Sequence, residues 1–408
     1  MSLQRRHFLA GAALAAGLAA CARPAADAEP ALQDPSEPLP ETPRGTPLTR
    51  TDLEDALTGS SYLGTGGGGS LAEARAMIAD GLDEGLSFAM LKLAALPDDA
   101  RIACPYGLGS IAPGSEVADP AVPFPVQNAF ELLQDHIGQR FAAVILGEIG
   151  PGSLADGLLV AARLGVPALD ADTVGRAVPE INQHSVKVSG TPLTPVACVT
   201  QQGDEIILRD VLDPKRPEAV LRSIAATSGV VGVVDSPITG ATAKRPGVLV
   251  QDSLSLSMRI GRAVREAKAA GTDPIEAARA AGDGYRLFTG RVADTQWRDD
   301  GGFLEGTLDL VGTGDFQGQT FQTLYKNEHL LARRNAEVVA TAPDLIQVVD
   351  DASADGIDNP DFTPGQRVTV LAFRSDPLWR TEAGLAVFGP RYFGYDVDYV
   401  PVETRLGR

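Results

Sequence analysis

The sequence predicts an α/β protein in which a parallel-sheet N-terminal domain is followed by a β-rich C-terminal domain. An apolar strand, a helix and a second strand follow one another between Phe141 and Asp172, and this order is a β-α-β unit. From Tyr285 onward, short alternating segments separated by Gly, Asp and Asn are typical of antiparallel strands. We therefore expect an α/β domain over residues 49–284 and a β-rich domain over residues 285–408.

Residues 1–21 have the order of charge and polarity of an export signal. Arg5 and Arg6 precede an apolar stretch from Leu9 to Ala20, which is shorter than the ~20 apolar residues that span a bilayer. The paired arginines resemble a twin-arginine signal, and the segment that ends at Cys21 resembles a lipobox. We expect an exported, periplasmic lipoprotein that is lipidated at Cys21 and meets the membrane only through that lipid. Cleavage to a free periplasmic protein is the alternative.

Residues 22–48 are rich in Pro, Ala, Asp and Glu, and we expect them to form an extended tether. The net charge of −18 argues against nucleic acid and anionic lipid as partners, because both would require a basic face. Cys104 and Cys198 remain after lipidation of Cys21. One disulfide is permitted in an oxidising compartment, but nothing in the sequence demands it.

Apolar periodicity places the elements along the folded part. Ser70 is the expected cap of the second helix, and Ser153 is the expected cap of a helix that stops at Gly165. We expect helices at 52–63, 71–79, 128–136, 153–164 and 254–270 and strands at 101–104, 141–146, 166–169, 230–234, 303–310, 338–340, 345–349 and 367–373.

A glycine-rich segment lies between the first two expected helices. Gly64, Gly66 and Gly69 fit the spacing G-x-G-x-x-G, but a dinucleotide fingerprint must follow a strand, and here a helix precedes it. The backbone of Gly66, Gly67, Gly68 and Gly69 can still approach a ligand closely, and the amides before the helix at Leu71 favour an anionic group. A flexible turn is the alternative.

Three carboxylates follow the ends of the expected parallel strands. Glu148, Asp170 and Asp172 therefore lie at the edge where open parallel sheets bind ligands. Such a cluster can supply a general acid and a general base, or it can hold a divalent metal, so the cofactor stays unassigned. Helix capping or pairing with Arg176 is the alternative.

Histidine offers weaker signals. We expect His136 to be structural, and His184 is a catalytic or metal-binding candidate only through its nearness in sequence to the acidic cluster. The sequence has no H-E-x-x-H motif, no pair of CxxC motifs and no G-x-S-x-G elbow.

Several segments, in order over residues 50–400, resemble the S-methyl-thiohydantoin desulfurase family. The segments are Tyr62–Gly69, Gly147–Gly150, Asp170–Glu180, Thr239-Gly240, Asn327-Glu328, Ala342–Ile346 and Gly389–Tyr395. The chain departs from the family pattern at Pro151, Thr173 and His329, and an exported form is unusual for the family.

The resemblance implies an enzyme that hydrolyses the ring carbon bearing a methylthio group and yields a hydantoin and methanethiol. It implies Asp170 or Asp172 as the base, Glu148 as the acid or a metal ligand, and Arg176 as a residue that orients them.

For substrate binding, the resemblance implies Gly66–Gly69 and Arg391 around a small cyclic amide. The sequence is compatible with a homo-oligomer but does not assign one. An exported protein that binds a small molecule without catalysis is the alternative function.

Overall fold

Two β-sheets organise the fold in a computed structural model that describes residues 43–110, 113 and 120–407. The expected export signal, the lipidation site at Cys21 and most of the tether lie outside the described residues. Within those described ranges, no helix is both long and apolar enough to cross a membrane.

The first sheet has nine strands and is mixed rather than purely parallel. Its strands are β1 (Thr46–Pro47), β2 (Ala89–Leu91), β3 (Arg101–Leu108), β4 (Ala143–Leu146), β5 (Ala168–Asp172), β6 (Val196–Val199), β7 (Glu205–Leu208), β8 (Val231–Thr239) and β9 (Val250–Gln251). The spatial order is β1-β2-β5-β4-β3-β8-β6-β7, and β9 pairs with β5. The expected parallel pairing of β4 with β5 is confirmed, and β2 and β3 extend it as further parallel strands. The other pairs are antiparallel; β6 and β7, for example, are joined by a turn too short for a parallel crossover.

Helices cover both faces of this sheet. They are α1 (Arg50–Leu63), α2 (Leu71–Asp83), α3 (Pro125–Ile137), α4 (Pro151–Leu164), α5 (Ser185–Val188), α6 (Arg216–Ser228), α7 (Gly240–Ala243), α8 (Ser253–Ala270) and α9 (Pro274–Ala281). One apolar core joins α1–α4, α8 and α9 to one face, and a second core joins α5–α7 to the other.

Helix α4 begins earlier than expected, and the cap predicted at Ser153 is wrong. Gly150 is the cap residue, and Pro151 occupies the first turn, where its missing N–H costs nothing. The cap predicted at Ser70 is confirmed, because its hydroxyl accepts a hydrogen bond from Glu73 N.

The second sheet is antiparallel and confirms the β-rich C-terminal region. Its strands are β10 (Tyr285–Asp300), β11 (Phe303–Gly312), β12 (Thr320–Lys326), β13 (Glu328–Arg334), β14 (Glu337–Thr341), β15 (Leu345–Asp350) and β16 (Arg367–Phe373), in the order β14-β13-β12-β11-β10-β16-β15. Helices α10 (Glu382–Phe388) and α11 (Val402–Arg405) follow. The tip of the β10–β11 hairpin reaches α6, where Arg222 donates a hydrogen bond of 3.3 Å to the Gly302 carbonyl.

The two sheets share apolar packing. Leu345 and Val349 of β15 and Leu371 and Phe373 of β16 belong to the same buried cluster as the residues of α1 and α8. This shared cluster fixes the position of the second sheet against the helices of the first.

Cys104 and Cys198 are both buried and unpaired. They lie on β3 and β6, the two strands that flank β8, so their backbones are about 10 Å apart across two strand spacings. That separation is too large for a disulfide, so the cross-link that the sequence permitted does not form.

Candidate functional site

The glycine loop between α1 and α2, residues 64–70, lies where the two sheets meet. A Cβ atom on Gly67 would lie 2.0 Å from Glu328 Oε1, and one on Gly68 would lie 2.5 Å from the Gly150 Cα atom. Glycine is therefore required here for close approach, as the sequence suggested. The neighbour at Gly67 is a carboxyl group.

Hydrogen bonds from both sheets hold this loop in place. The Gly66 N–H donates to Gln347 Oε1 at 3.0 Å, and the Thr65 carbonyl accepts from His329 N at 2.8 Å. On the other side, Ser153 N donates to the Gly68 carbonyl at 3.1 Å. These bonds anchor the loop on both sides, so it is not a flexible turn.

The N-terminus of α2 binds an anionic group that the chain itself provides. Leu71 N donates to Asp358 Oδ2 at 3.2 Å, beside the Ser70 cap. Burial raises the pKa of Asp358 to about 7, and the bond from Leu71 opposes that rise. The sequence predicted an anionic ligand here, but the side chain of Asp358 occupies that position.

Glu148 follows β4 and faces the glycine loop. Its Oε1 accepts a hydrogen bond from the Ser153 hydroxyl at 2.8 Å, and its Oε2 accepts one from Val178 N at 2.8 Å. The Ser153 hydroxyl therefore donates to Glu148 instead of capping α4. Burial raises the pKa of Glu148 to about 7, while these two donors and Arg176 limit the rise. A half-buried carboxyl of this kind can exchange a proton near neutral pH.

Glu328 approaches the same loop from the second sheet, at the start of β13. It is 2% exposed. Its Oε2 atom has no hydrogen-bond partner within the described part of the chain. Burial, followed by the nearby charge of Glu148, raises the pKa of Glu328 well above its ordinary range. A buried carboxyl group with a raised pKa favours its protonated form, which can donate a proton.

Sequence reasoning did not select Glu328 as a site residue. Its signal was the Asn327-Glu328 pair among the family-like segments. Asn327 has a positive φ of 55° at the turn between β12 and β13, and its side chain accepts from Leu304 N at 2.8 Å. Asparagine tolerates this backbone region well, so the turn that carries Glu328 is locally encoded.

Asp172 ends β5 and completes a carboxyl cluster with Glu148 and Glu328. Its Oδ2 accepts hydrogen bonds from Val174 N at 2.9 Å and Gly175 N at 2.6 Å. Burial raises its pKa to about 7, and the charge of Glu148 adds to the rise. Because neighbouring like charges disfavour ionisation, such a cluster favours a mixture of protonated and ionised carboxyl groups.

Asp170 lies two residues earlier on β5 and has different hydrogen-bond partners. Its buried carboxylate forms an ion pair with the exposed side chain of Lys92, and it accepts from Ser255 N at 2.8 Å and from the Ser255 hydroxyl at 2.6 Å. These contacts anchor the start of α8 to β5. The arrangement places Asp170 in a structural network rather than beside the glycine loop.

Arg176 is buried between the two sheets. It donates to the Thr65 hydroxyl at 2.6 Å, to the Pro343 carbonyl at 3.1 Å and to the Asp344 carbonyl at 3.0 Å. Among the hydrogen bonds of the described residues, none joins Arg176 to Glu148, Asp170 or Asp172. Arg176 acts on Glu148 through its charge, which opposes the rise of the Glu148 pKa.

The remaining predicted residues lie apart from this cluster. His184 is buried on the other face of the first sheet, 3.7 Å from Asp235, and burial lowers its pKa to about 3. It is therefore neutral at physiological pH. Arg391 is exposed and forms ion pairs with Asp396 at 2.9 Å and Asp398 at 2.7 Å.

No group of three or more His, Cys, Asp or Glu side chains with the arrangement of a metal site occurs in the ranges that the structure describes.

Known proteins resemble this chain over nearly all of its folded part. A crystal structure of a protein from Chromobacterium violaceum superimposes with a TM-score of 0.71 and 25% sequence identity, covering 87% of this chain and 99% of that chain. No curated protein matches the sequence significantly.

Two family matches follow one another along the chain. The S-Me-THD-like N-terminal domain matches residues 51–210, and the S-Me-THD-like C-terminal domain matches residues 213–402. The sheets divide later, between Gln251 and Tyr285, so the domain boundary expected at 284/285 stays a prediction. Because the two matches together cover most of the sequence, the chain belongs to the S-Me-THD-like family, the S-methyl-thiohydantoin desulfurase family that its segments resemble.

Proposed function

We propose that the protein hydrolyses an S-methyl-thiohydantoin or a closely related cyclic amide and releases methanethiol. One observation carries this proposal: Glu148 and Glu328 come from different sheets, approach adjacent glycines of one loop, and both have raised pKa values. Two carboxyl groups held in different protonation states are the usual equipment for general acid–base hydrolysis. Membership of the family supports the same chemistry.

The reaction uses one carboxylate as base and one carboxylic acid as donor. Ionised Glu148 takes a proton from water as the water oxygen bonds to the ring carbon between the two nitrogens. Protonated Glu328 gives its proton to the ring nitrogen that receives the electron pair of the C=N bond. The tetrahedral intermediate then expels methanethiolate, which takes the proton held on Glu148, and Glu328 recovers its proton as the carbonyl forms.

The glycine loop positions the ring in this proposal. The amides of Gly68 and Gly69 have no hydrogen-bond partner in the part of the chain that the structure describes. They are therefore suited to bind a ring carbonyl oxygen, where two backbone donors would stabilise developing negative charge. Asp172 interacts electrostatically with Glu148, whose charge raises the pKa of Asp172, while Asp170 has a structural role.

Replacement of the two glutamates tests the proposal. We expect Glu148→Gln and Glu328→Gln each to lower methanethiol release by at least ~10²-fold, the usual scale for a proton-transfer group. Thiol release from S-methyl-thiohydantoins is the measurement, and circular dichroism verifies that each variant is folded.

Asp156→Asn is the matched control for this test. Burial also raises the pKa of Asp156 to about 7, but Asp156 lies on α4 beside Gly107 rather than at the glycine loop. The control should keep turnover within a few-fold of the unmodified protein. Full turnover in both glutamine variants would place the catalytic centre elsewhere, and saturable binding without product in the unmodified protein would favour a binding protein.

A further inference from the structure

An aromatic cavity of about 760 Å³ lies against the second sheet, and its lining residue Lys326 is paired in register with Glu328. The β10–β11 hairpin, β12, Glu180 and the turn after α10 surround it. Aromatic residues make up 5% of the chain, yet they are five of the fourteen lining residues, namely Trp297, Tyr325, Tyr392, Phe393 and Tyr395. Such a concentration of rings favours a planar, apolar group, which can stack on or meet the ring edges.

The charged groups of this aromatic cavity neutralise one another. Lys326 Nζ lies 2.7 Å from Glu180 Oε1, and Arg298 lies 2.7 Å from Glu305 Oε2. The Tyr392 hydroxyl also donates to Glu180 at 2.6 Å. Since each cation already has an anionic partner, the cavity favours an uncharged ligand over an anionic or cationic one.

Two short segments connect the aromatic cavity to the carboxyl cluster. Lys326 lines the cavity and pairs across the hairpin turn with Glu328. Val178, which donates to Glu148, precedes Glu180 by two residues, or about 7 Å of extended chain. Residues of the cavity lining thus lie within two residues of Glu328 and of Val178, the donor to Glu148.

We propose that the aromatic cavity binds an uncharged aryl or arylalkyl substituent of the substrate ring, so that the protein selects 5-benzyl-type rings over 5-methyl or anionic ones. This inference rests on the proposed function for the position of the ring, but it is tested by binding, which does not require turnover.

Tryptophan fluorescence gives a direct test. Trp297 lines the aromatic cavity and is 44% exposed, whereas Trp379, the other tryptophan, is fully buried. Titration with 5-benzylhydantoin, a stable product analogue, should change the Trp297 emission saturably. We expect 5-methylhydantoin and 5-carboxymethylhydantoin to bind at least about tenfold more weakly. Equal affinity for the three compounds, or no saturable change, would overturn the inference.

Matched variants locate the binding. Tyr395→Ala should weaken 5-benzylhydantoin binding by about tenfold and leave 5-methylhydantoin binding nearly unchanged. Phe124→Ala is the control, because Phe124 is also 44% exposed but stacks on Arg163 away from the cavity. An equal loss of affinity in the Phe124 variant would contradict a cavity-specific effect.

The two proposals fail in different ways. If the unmodified protein releases no methanethiol but Trp297 still reports selective binding of 5-benzylhydantoin, the proposed function falls and the cavity assignment stands. If turnover is found but does not depend on the 5-substituent, the cavity assignment falls and the hydrolytic function stands.

Discussion

The surroundings of Glu148 and Glu328 raise the pKa of both carboxyl groups, but the causes differ. Burial raises the pKa of Glu148 to about 7, and burial together with Glu148 raises the pKa of Glu328 well above the ordinary value. Two interacting carboxyl groups titrate as a pair, so the pH dependence of turnover reports both of them.

The pH–rate profile should therefore be bell-shaped. A base must be ionised, so kcat/KM should rise as pH increases through about 7, the pKa of Glu148. An acid must be protonated, so kcat/KM should fall at higher pH as Glu328 loses its proton. Methanethiol release measured across pH gives the profile, and Glu148→Gln should remove its rising limb. A variant that keeps this limb would show that another group is the base.

Gly67 is the residue at which backbone and carboxyl group come closest. Because its Cβ would lie 2.0 Å from Glu328 Oε1, Gly67→Ala must displace that carboxyl group. We expect turnover to fall by ~10²-fold, since small displacements of a catalytic group are costly. Gly81→Ala in α2 is the control, because its Cβ would meet the flexible end of Leu159 at 2.7 Å. Equal effects of the two substitutions on turnover would argue against Glu328 as the acid.

At the scale of elements, local patterns predicted many of the strands and helices, but not helices α6 and α9 or strands β6 and β7. The apolar run before Glu148 could be predicted because burial on both faces leaves a continuous apolar sequence. The strand expected at 166–169 lies instead at Ala168–Asp172, so Asp170 and Asp172 belong to it rather than following it. The mixed pairing of the first sheet could not, because β8 joins β3 and β6 through contacts distant in sequence.

The candidate site was predictable in part, for the same reason. Glu148 and the glycine loop carry local signals, whereas the contact between Gly67 and Glu328 joins two sheets and leaves no local pattern. Asp170 and Asp172 looked equivalent from sequence. Their surroundings differ because Lys92 and Ser255 bond to Asp170, whereas the amides of Val174 and Gly175 bond to Asp172.

Arg176 joins the glycine loop to the segment that precedes β15 in the second sheet. Its planar group donates to the Thr65 hydroxyl and to the Pro343 and Asp344 carbonyls, and a lysine cannot reproduce that geometry. We expect Arg176→Lys to lower the free energy of unfolding by roughly 2–4 kcal/mol, the scale of lost hydrogen bonds to a buried charged group. Urea unfolding measures the change.

The exposed residue Arg391 provides the control for this prediction. Arg391→Lys should change the free energy of unfolding by less than about 0.5 kcal/mol, because exposed ion pairs contribute little. A loss at Arg391 as large as that at Arg176 would contradict the structural role of the buried arginine.

At the scale of the whole molecule, the shared apolar cluster bears on the expected domain boundary. Helices α1 and α8 pack against Leu345, Val349, Leu371 and Phe373 of the second sheet. A chain ending at residue 284 would lack these four residues and would expose the apolar surfaces of α1 and α8 that they cover. We expect residues 49–284 alone to lack a cooperative thermal transition and to be cut rapidly by protease. A stable, cooperative fragment would instead establish residues 49–284 as an independent domain.

The chemical reactivity of the two buried cysteines can report on opening of the first sheet. Cys104 and Cys198 are both 0% exposed and lie on opposite sides of β8. Burial raises the pKa of each thiol, so the reactive thiolate is scarce as well as shielded. A thiol-specific reagent can reach them only when neighbouring strands separate. The rate at which these two positions are alkylated thus measures how often the centre of the protein comes apart under native conditions.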